Sequence, residues 1–314
     1  MSGSQEIVAV DIGNSRIKFG RYNKSSITLS GQLPQPMQVI VEQSKKLFQI
    51  ELDLRETPLA DGSEWVVSSV NQTGLSQFCQ WVKENRPHDK VRVLTHREIR
   101  MPLEVAELEK VGMDRLCNAL ASATLAQHGE PVLIVDIGSA TTLDIVSGDG
   151  RFLGGAIMPG FRAAAVALKM TTDQLPEINA DDLRFPAFPG KNTPEAIEAG
   201  LFWGMIGAIR QFLAFAQEGN SHALLLLTGG DAFPVLEALL NPCFKIPSDT
   251  IITESSRVAN PSGISCPPVL HSDNSSVTSL GEIPDDAFIP VAHFHEAICC
   301  PYLTLSGITL ASLS

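Results

Sequence analysis

Two short stretches constrain the fold of this chain more than anything else in it. Residues 7–19, IVAVDIGNSRIKF, and 132–144, VLIVDIGSATTLD, each run four apolar residues into Asp-x-Gly, pass through small or hydroxylated residues, and resume an apolar pattern. That order predicts a buried strand, a tight turn and a return strand. Asp11 and Gly13 recur as Asp136 and Gly138, both 125 residues further on. Two copies predict two similar halves. If each half presents its turn to a shared cleft, the turns become jaws around a ligand that needs glycine backbone, hydroxyls and acids together.

The length agrees, since 314 residues suit two domains at about 150 residues each. A helix expected near 113–127, with Gly129 past its end, marks the boundary, giving an N-terminal half at 1–116 and a C-terminal half at 117–314. With 23 basic against 35 acidic residues the net charge is −12, which disfavours a nucleic-acid partner because phosphate backbones need a basic surface. The start, MSGSQE, lacks the charged and apolar regions of a secretion signal, and apolar runs such as 223–227 are far too short to span a bilayer, so no membrane association and a cytoplasmic location are expected. Cysteines 79, 117, 243, 266, 299 and 300 include no C-x-x-C pair, which predicts reduced thiols.

Strands are expected at 65–70, 91–94, 152–158 and 224–227, and helices at 73–85, 161–169, 193–215, 232–240 and 301–313. Hairpins followed by helices predict an α/β fold with a mixed sheet in each half. Val39, Ile40, Leu47 and Ile50 fit a helix or its approach. Thr193 reads as the cap of the long helix, with Pro194 at its first position. Gly200, Gly204 and Gly207 lie near one side of that helix, where close packing on another helix, such as one across a dimer interface, would compensate their low helix propensity. From 242 to about 297 the composition turns to Ser, Pro, Asn and Asp, as in an irregular insertion.

Either Asp-x-Gly turn alone is explained by hairpin geometry; two in register point to chemistry. Gly13 and Gly138 would let backbone amides approach phosphate oxygens, and Asn14, Ser15, Ser139, Thr141 and Thr142 supply further donors. Carboxylates repel phosphates, so Asp11 and Asp136 fit beside an anion only with a cation between, Mg²⁺ held through water in a kinase-like site. Lys18 either reaches a phosphate or is a solvated strand lysine, and Thr228-Gly-Gly-Asp is a nucleoside-binding turn or an ordinary strand-to-helix connection. The P-loop and dinucleotide-binding glycine patterns are both missing. His293, His295, Glu296, Cys299 and Cys300 lack the usual zinc spacing and read as the edge of the insertion. Gly112-Met113-Asp114-Arg115 opens a helix. Asp114 is either a dipole-complementing acid or a base for a substrate hydroxyl, and Arg115 either a surface ion-pair partner or an anion binder.

In order along the chain, DIGNSRIK, GMDR, DIGSATT, GGAIMPG, NTPEAIEAG and LTGGDA resemble the type III pantothenate kinases of the acetate and sugar kinase, Hsp70 and actin superfamily. The resemblance covers roughly 6–240 and 301–311. It implies two duplicated ribonuclease-H-like (actin-like ATPase) domains, ATP-dependent phosphorylation of pantothenate as the first step to coenzyme A, and a homodimer. By position, Asp11, Ile12, Gly13, Asn14, Ser15, Arg16, Ile17 and Lys18 would bind the ATP phosphates, with Asp11 holding Mg²⁺ through water. Ser139 would contact the nucleotide, Asp136 a monovalent cation (K⁺ or NH₄⁺), and Asp114 would accept the proton. Gly112, Met113, Asp114 and Arg115 would contact pantothenate, with Thr193 reaching the pantothenate in the neighbouring subunit. Val105 stands where the family often has a substrate-contacting tyrosine, and Ser15 and Ser139 stand in place of threonines. Two alternatives stay open: a non-catalytic nucleotide-binding regulator on the same fold, and a kinase of another small hydroxy compound.

Overall fold

A computed structural model describes residues 6–24, 27, 33–43, 59, 61–126, 129–180, 183, 185–217, 222–240 and 296–313. The first sheet contains β1 (Glu6–Ile12), β2 (Arg16–Asn23), β3 (Gln38–Gln43), β4 (Glu64–Ser69) and β5 (Lys90–Val93) in the order β3-β2-β1-β4-β5. The second contains β6 (Val132–Ile137), β7 (Ala140–Val146), β8 (Phe152–Pro159), β9 (Leu224–Thr228) and β10 (Glu296–Cys299) in the order β10-β9-β6-β7-β8. In each, the three strands that meander are antiparallel and the later two join in parallel. The sheets share one topology read from opposite ends, so the duplication extends from the turns to the whole strand order. Helices α1 (Gln72–Asn85) and α5 (Ala232–Leu240) make the corresponding parallel crossovers, and α2 (Met113–Ser122) and α6 (Leu303–Ser312) follow the last strand of each half.

Three elements differ from expectation. Val39 and Ile40 lie in strand β3 rather than a helix, while Leu47 and Ile50 fall outside the described residues. Strand β10 occupies a place read as the edge of the insertion; of the expected insertion, only residues 296–297 are described. Helix α2 also stops at Ser122, short of the expected 127, and turns through residues 123–125.

Alternation along the central strands sets up the site. On β1, Val8, Val10 and Ile12 pack with Phe78 and Val82 of α1, whereas Ile7 and Ala9 face a core shared with Leu116 of α2 and Leu305 of α6. On β6, Leu133, Val135 and Ile137 pack under Phe202 and Ile206, and Val132 and Ile134 face the same shared core. Helices α2 and α6 therefore form a layer between the sheets. Side chains alternate along a strand, so Asp11, two residues beyond Ala9, and Asp136, two beyond Ile134, turn toward this layer. They cross closely: a Cβ on Gly307 would fall inside van der Waals contact with the Cys117 carbonyl.

Between β8 and β9 run α3 (Phe161–Thr171) and α4 (Thr193–Ala216). The cap of α4 is Asn192 rather than Thr193: its side chain accepts from the Glu195 amide at 3.0 Å, and Thr193 is the first helical residue. By length and apolarity α4 is the one helix among the described residues that could cross a bilayer, yet Phe202, Met205, Ile206, Ile209 and Leu213 bury one face against the second sheet. Among the described residues Cys79 and Cys117 are free thiols.

Candidate active site

The tips of the two Asp-x-Gly turns meet. Ser15 Oγ and Ser139 Oγ lie 2.6 Å apart, joining residues 124 positions distant in sequence. Neither Gly13 nor Gly138 has a positive φ. Their amides close their own hairpins, Gly13 N–H to the Arg16 carbonyl at 3.0 Å and Gly138 N–H to the Ala140 carbonyl at 3.1 Å. These two amides are engaged within their own turns, and Asn14, Ser15 and Ser139 are exposed at the tips. Later glycines wedge the second turn in place. Cβ atoms on Gly160 or Gly229 would overlap the carbonyls of Gly138 or Ile137, and Gly229 holds φ at +95°. The Gly-Gly turn also receives the first half: the Arg16 guanidinium lies against Gly230, where a Cβ would stand 2.6 Å from Nη1.

Beneath the tips three acids converge. Lys18 Nζ lies 3.5 Å from Asp11 Oδ2, opposite it in the β1–β2 register. Burial raises the Asp11 carboxyl above its ordinary value; Lys18 opposes this and Asp136 adds to it. Burial works against the Lys18 charge, but Asp11 and Asp136 outweigh it, so the ammonium is held above its usual range. Asp114, in the first turn of α2, is pushed up to about 6, by burial first and then by repulsion from Asp11. The Arg115 amide, donating to Asp114 Oδ1 at 2.8 Å, opposes that rise, and Asp136 reinforces it. Gly112 makes this geometry possible, since a Cβ there would overlap Asp114 Oδ1.

The cluster carries more negative than positive charge, and that imbalance suits cations. Among the described residues no three His, Cys, Asp or Glu side chains are arranged to cage an ion. The neighbouring carboxylates of Asp11 and Asp136 suit a divalent ion such as Mg²⁺, which commonly takes one or two carboxylates and completes its shell with water and substrate phosphates.

The remaining expected site residues divide. Ile12 and Ile17 bury their side chains in the core beside α1, so they offer the site only backbone. Met113 is buried, and Val105 packs on the inter-sheet core beside Gly154. Arg115 directs Nε to both carboxylate oxygens of buried Asp144 at 3.0 Å, and Nη2 also donates to Oδ1. Its guanidinium sits over the Phe152 ring at 5.8 Å from the centroid. Thr193 is exposed at the start of α4, and no contact described joins it to the acids. Cys299 and Cys300, read as the edge of the insertion, are buried in the core, while His293 and His295 lie outside the described residues.

Sequence reasoning missed two polar partners. Asp144 carried a signal, an acid at a buried position of a strand, which requires a counter-charge. Asn118 carried a weaker one: it stands four residues after Asp114, on the same face of α2. Its Nδ2 donates to Asp136 Oδ2 at 3.1 Å.

A sequence profile of the type III pantothenate kinases matches residues 7–214. The chain belongs to that family. Relatives named type III pantothenate kinase include one from Flavobacterium johnsoniae, 30% identical over 76% of this chain and 91% of its own length. Another from Phocaeicola vulgatus is 31% identical over 71% and 86%. The match to that of Rhodopirellula baltica, at 34% identity, covers 53% of this chain and 60% of that protein. Among solved structures, a polyphosphate/ATP-glucomannokinase from Arthrobacter sp. strain KM aligns over 99% of this chain and 98% of that one, at 13% identity and a TM-score of 0.40. The family match takes in both Asp-x-Gly turns, Gly112–Arg115 and most of α4.

Proposed function

We propose that this family member transfers the γ-phosphoryl group of ATP to the primary hydroxyl of pantothenate, with Asp114 as the general base. The observation that carries this reading is the convergence of Asp114 with Asp11 and Asp136 beneath the Ser15–Ser139 contact. A carboxyl poised at about 6 is ionised at neutral pH yet basic enough to take a proton as the nucleophile attacks. In the step, the hydroxyl proton passes to an Asp114 carboxylate oxygen, the new O–P bond forms at the γ-phosphorus, and the bond to the bridging oxygen breaks to release ADP. Asn14, Ser15, Ser139 and Lys18 orient the phosphates, and Arg16 closes the cleft against the Gly-Gly turn. Asp11 would hold Mg²⁺ through water and Asp136 a monovalent cation, K⁺ or NH₄⁺; these cations neutralise phosphate charge when bound.

In this reading Arg115, fixed by Asp144, presents the start of α2 to the substrate, with Gly112, Met113 and Val105 shaping its pocket. The halves correspond to residues 1–116 and 117–314, and the protein works in the cytoplasm as a homodimer, with Thr193 reaching the neighbouring site. The dimer is supported by α4, where Gly200, Gly204 and Gly207 are exposed and a Cβ on each would meet nothing within 4 Å. Asp114→Asn tests the central assignment: 4′-phosphopantothenate formation should be abolished while ATP affinity stays within about twofold, and retained turnover would remove Asp114 from the role of base.

A further inference from the structure

The C-terminal helix reaches into the site through a directed chain of hydrogen bonds. Thr304, in the first turn of α6, places Oγ1 2.8 Å from Asn118 Oδ1, and Asn118 Nδ2 stands 3.1 Å from Asp136 Oδ2. Its polarity has a single solution. An ionised carboxylate only accepts, so the amide of Asn118 must face Asp136 with its NH₂ group, its carbonyl must face Thr304, and the hydroxyl must donate. Asn118 and Thr304 are both buried, 1% and 2% exposed, between two helices that Gly307 draws tight.

A crossing of two helices gains nothing in stability from a buried amide that a matched apolar pair would not supply, since net hydrogen-bond gains are about 1 kcal/mol and both partners can be replaced at little cost. The direction of the chain is informative: it ends on one oxygen of Asp136, leaving Oδ1 turned toward the second Asp-x-Gly turn, 4.0 Å from where a Gly138 Cβ would be. Asp114 and Asn118 lie four residues apart on α2, so the same helix face presents the base and orients the neighbouring acid.

We propose that Asn118, locked by Thr304 from α6, is a positioning residue that holds Asp136 with Oδ1 directed into the cleft for a monovalent cation. The inference rests on the reading of Asp136 as the cation carboxylate. Partners that orient a metal-binding side chain from behind typically change metal affinity about 10- to 100-fold when removed.

The test uses the full chain with Thr304→Val, which keeps the shape and removes the donor, and Thr304→Ser, which restores it. One readout is the rise in thermal midpoint that K⁺ produces in the presence of ADP and Mg²⁺, and the other is the K⁺ concentration giving half-maximal phosphopantothenate formation. In Thr304→Val the half-activating K⁺ concentration should rise about tenfold or more, with a reduced K⁺-induced thermal shift. The rate at saturating K⁺ and the KM for ATP should stay within about twofold, and Thr304→Ser should return both readouts to wild type. If Thr304→Val does not fold, Asn118→Ser carries the same comparison. A K⁺ response unchanged in the folded variant overturns the inference, as does a loss of activity that saturating K⁺ leaves in place. An Asp136→Asn control separates the two levels. If it responds to K⁺ as wild type does, the cation reading falls and this inference with it; if it loses the response while Thr304→Val keeps it, only the positioning role falls.

Discussion

Replacing Gly112 by alanine isolates the geometry of Asp114, the proposed base, from the stability of the fold. Gly112 caps α2 with φ −59° and ψ 136°, a conformation open to any L-residue, so alanine introduces no backbone strain. The new methyl would stand 3.6 Å from Val70 Cγ1, an ordinary contact, but closer than 3.0 Å to Asp114 Oδ1. The carboxylate must swing aside, and in doing so it gives up the 2.8 Å bond from the Arg115 amide. A hydrogen bond to a charged group contributes about 1.5–3 kcal/mol, which converts to roughly 10- to 150-fold, and a misplacement of about 1 Å in a reacting group costs about 10²-fold. We expect kcat to fall about 10- to 100-fold, measured by mass spectrometry of 4′-phosphopantothenate, with the KM for ATP within about twofold and the thermal midpoint lower by only a few degrees. Removing the amide also removes an influence that holds the Asp114 pKa down, so the acid limb of kcat/KM should move upward from about 6. A kcat within twofold of wild type would refute the reasoning, as would a KM for ATP that rises in step with the loss of kcat.

Asp114 also links pH to stability. Its folded value of about 6 lies above the ordinary 3.8, so its contribution is fully present below about 3.8 and is lost as pH rises through about 6. Ionising it therefore costs roughly 3 kcal/mol at pH 8, and Asp114→Asn should be more stable than wild type at pH 8 by up to that amount, with the gap closing by pH 4 in urea titrations. Gly307→Ala forces α2 and α6 apart at the Cys117 carbonyl; overpacking of about 1–3 kcal/mol at 2–4 °C per kcal/mol predicts a midpoint lower by about 2–12 °C in calorimetry. Ser139→Ala, at an exposed hydroxyl, should leave the midpoint nearly unchanged and raise the KM for ATP several-fold in steady-state kinetics. Gly204→Glu on the open face of α4 should convert the proposed dimer to monomer in sedimentation.

The parts of this architecture that were legible in sequence are those fixed by local pattern. Four apolar residues running into Asp-x-Gly specify a strand buried on both faces and its turn, and a common offset specifies the second copy. The parts that stayed hidden depend on partners distant in sequence. Strand β10 has four residues, too few for periodicity, and stands where the sequence reads as the edge of an insertion; the duplicated strand order, in which it answers β5, accounts for it. Strand β3 lies at a sheet edge with Val41 exposed, so it lacks the clean alternation of a half-buried strand. Asn192 and Thr193 are both good caps, and only the bond to the Glu195 amide distinguishes them. The acids Asp11, Asp114 and Asp136 could be named from the sequence, but not the chain from Thr304 through Asn118 to Asp136, because those contacts arise only where α2 and α6 cross between the sheets.

The most direct test of the central claim is phosphoryl transfer from ATP with Mg²⁺, with and without pantothenate and with K⁺ or Na⁺, detecting 4′-phosphopantothenate itself. Product that forms only with pantothenate and increases with K⁺ is the predicted result. No product under any of these conditions, from folded protein that still binds ATP, would contradict the account.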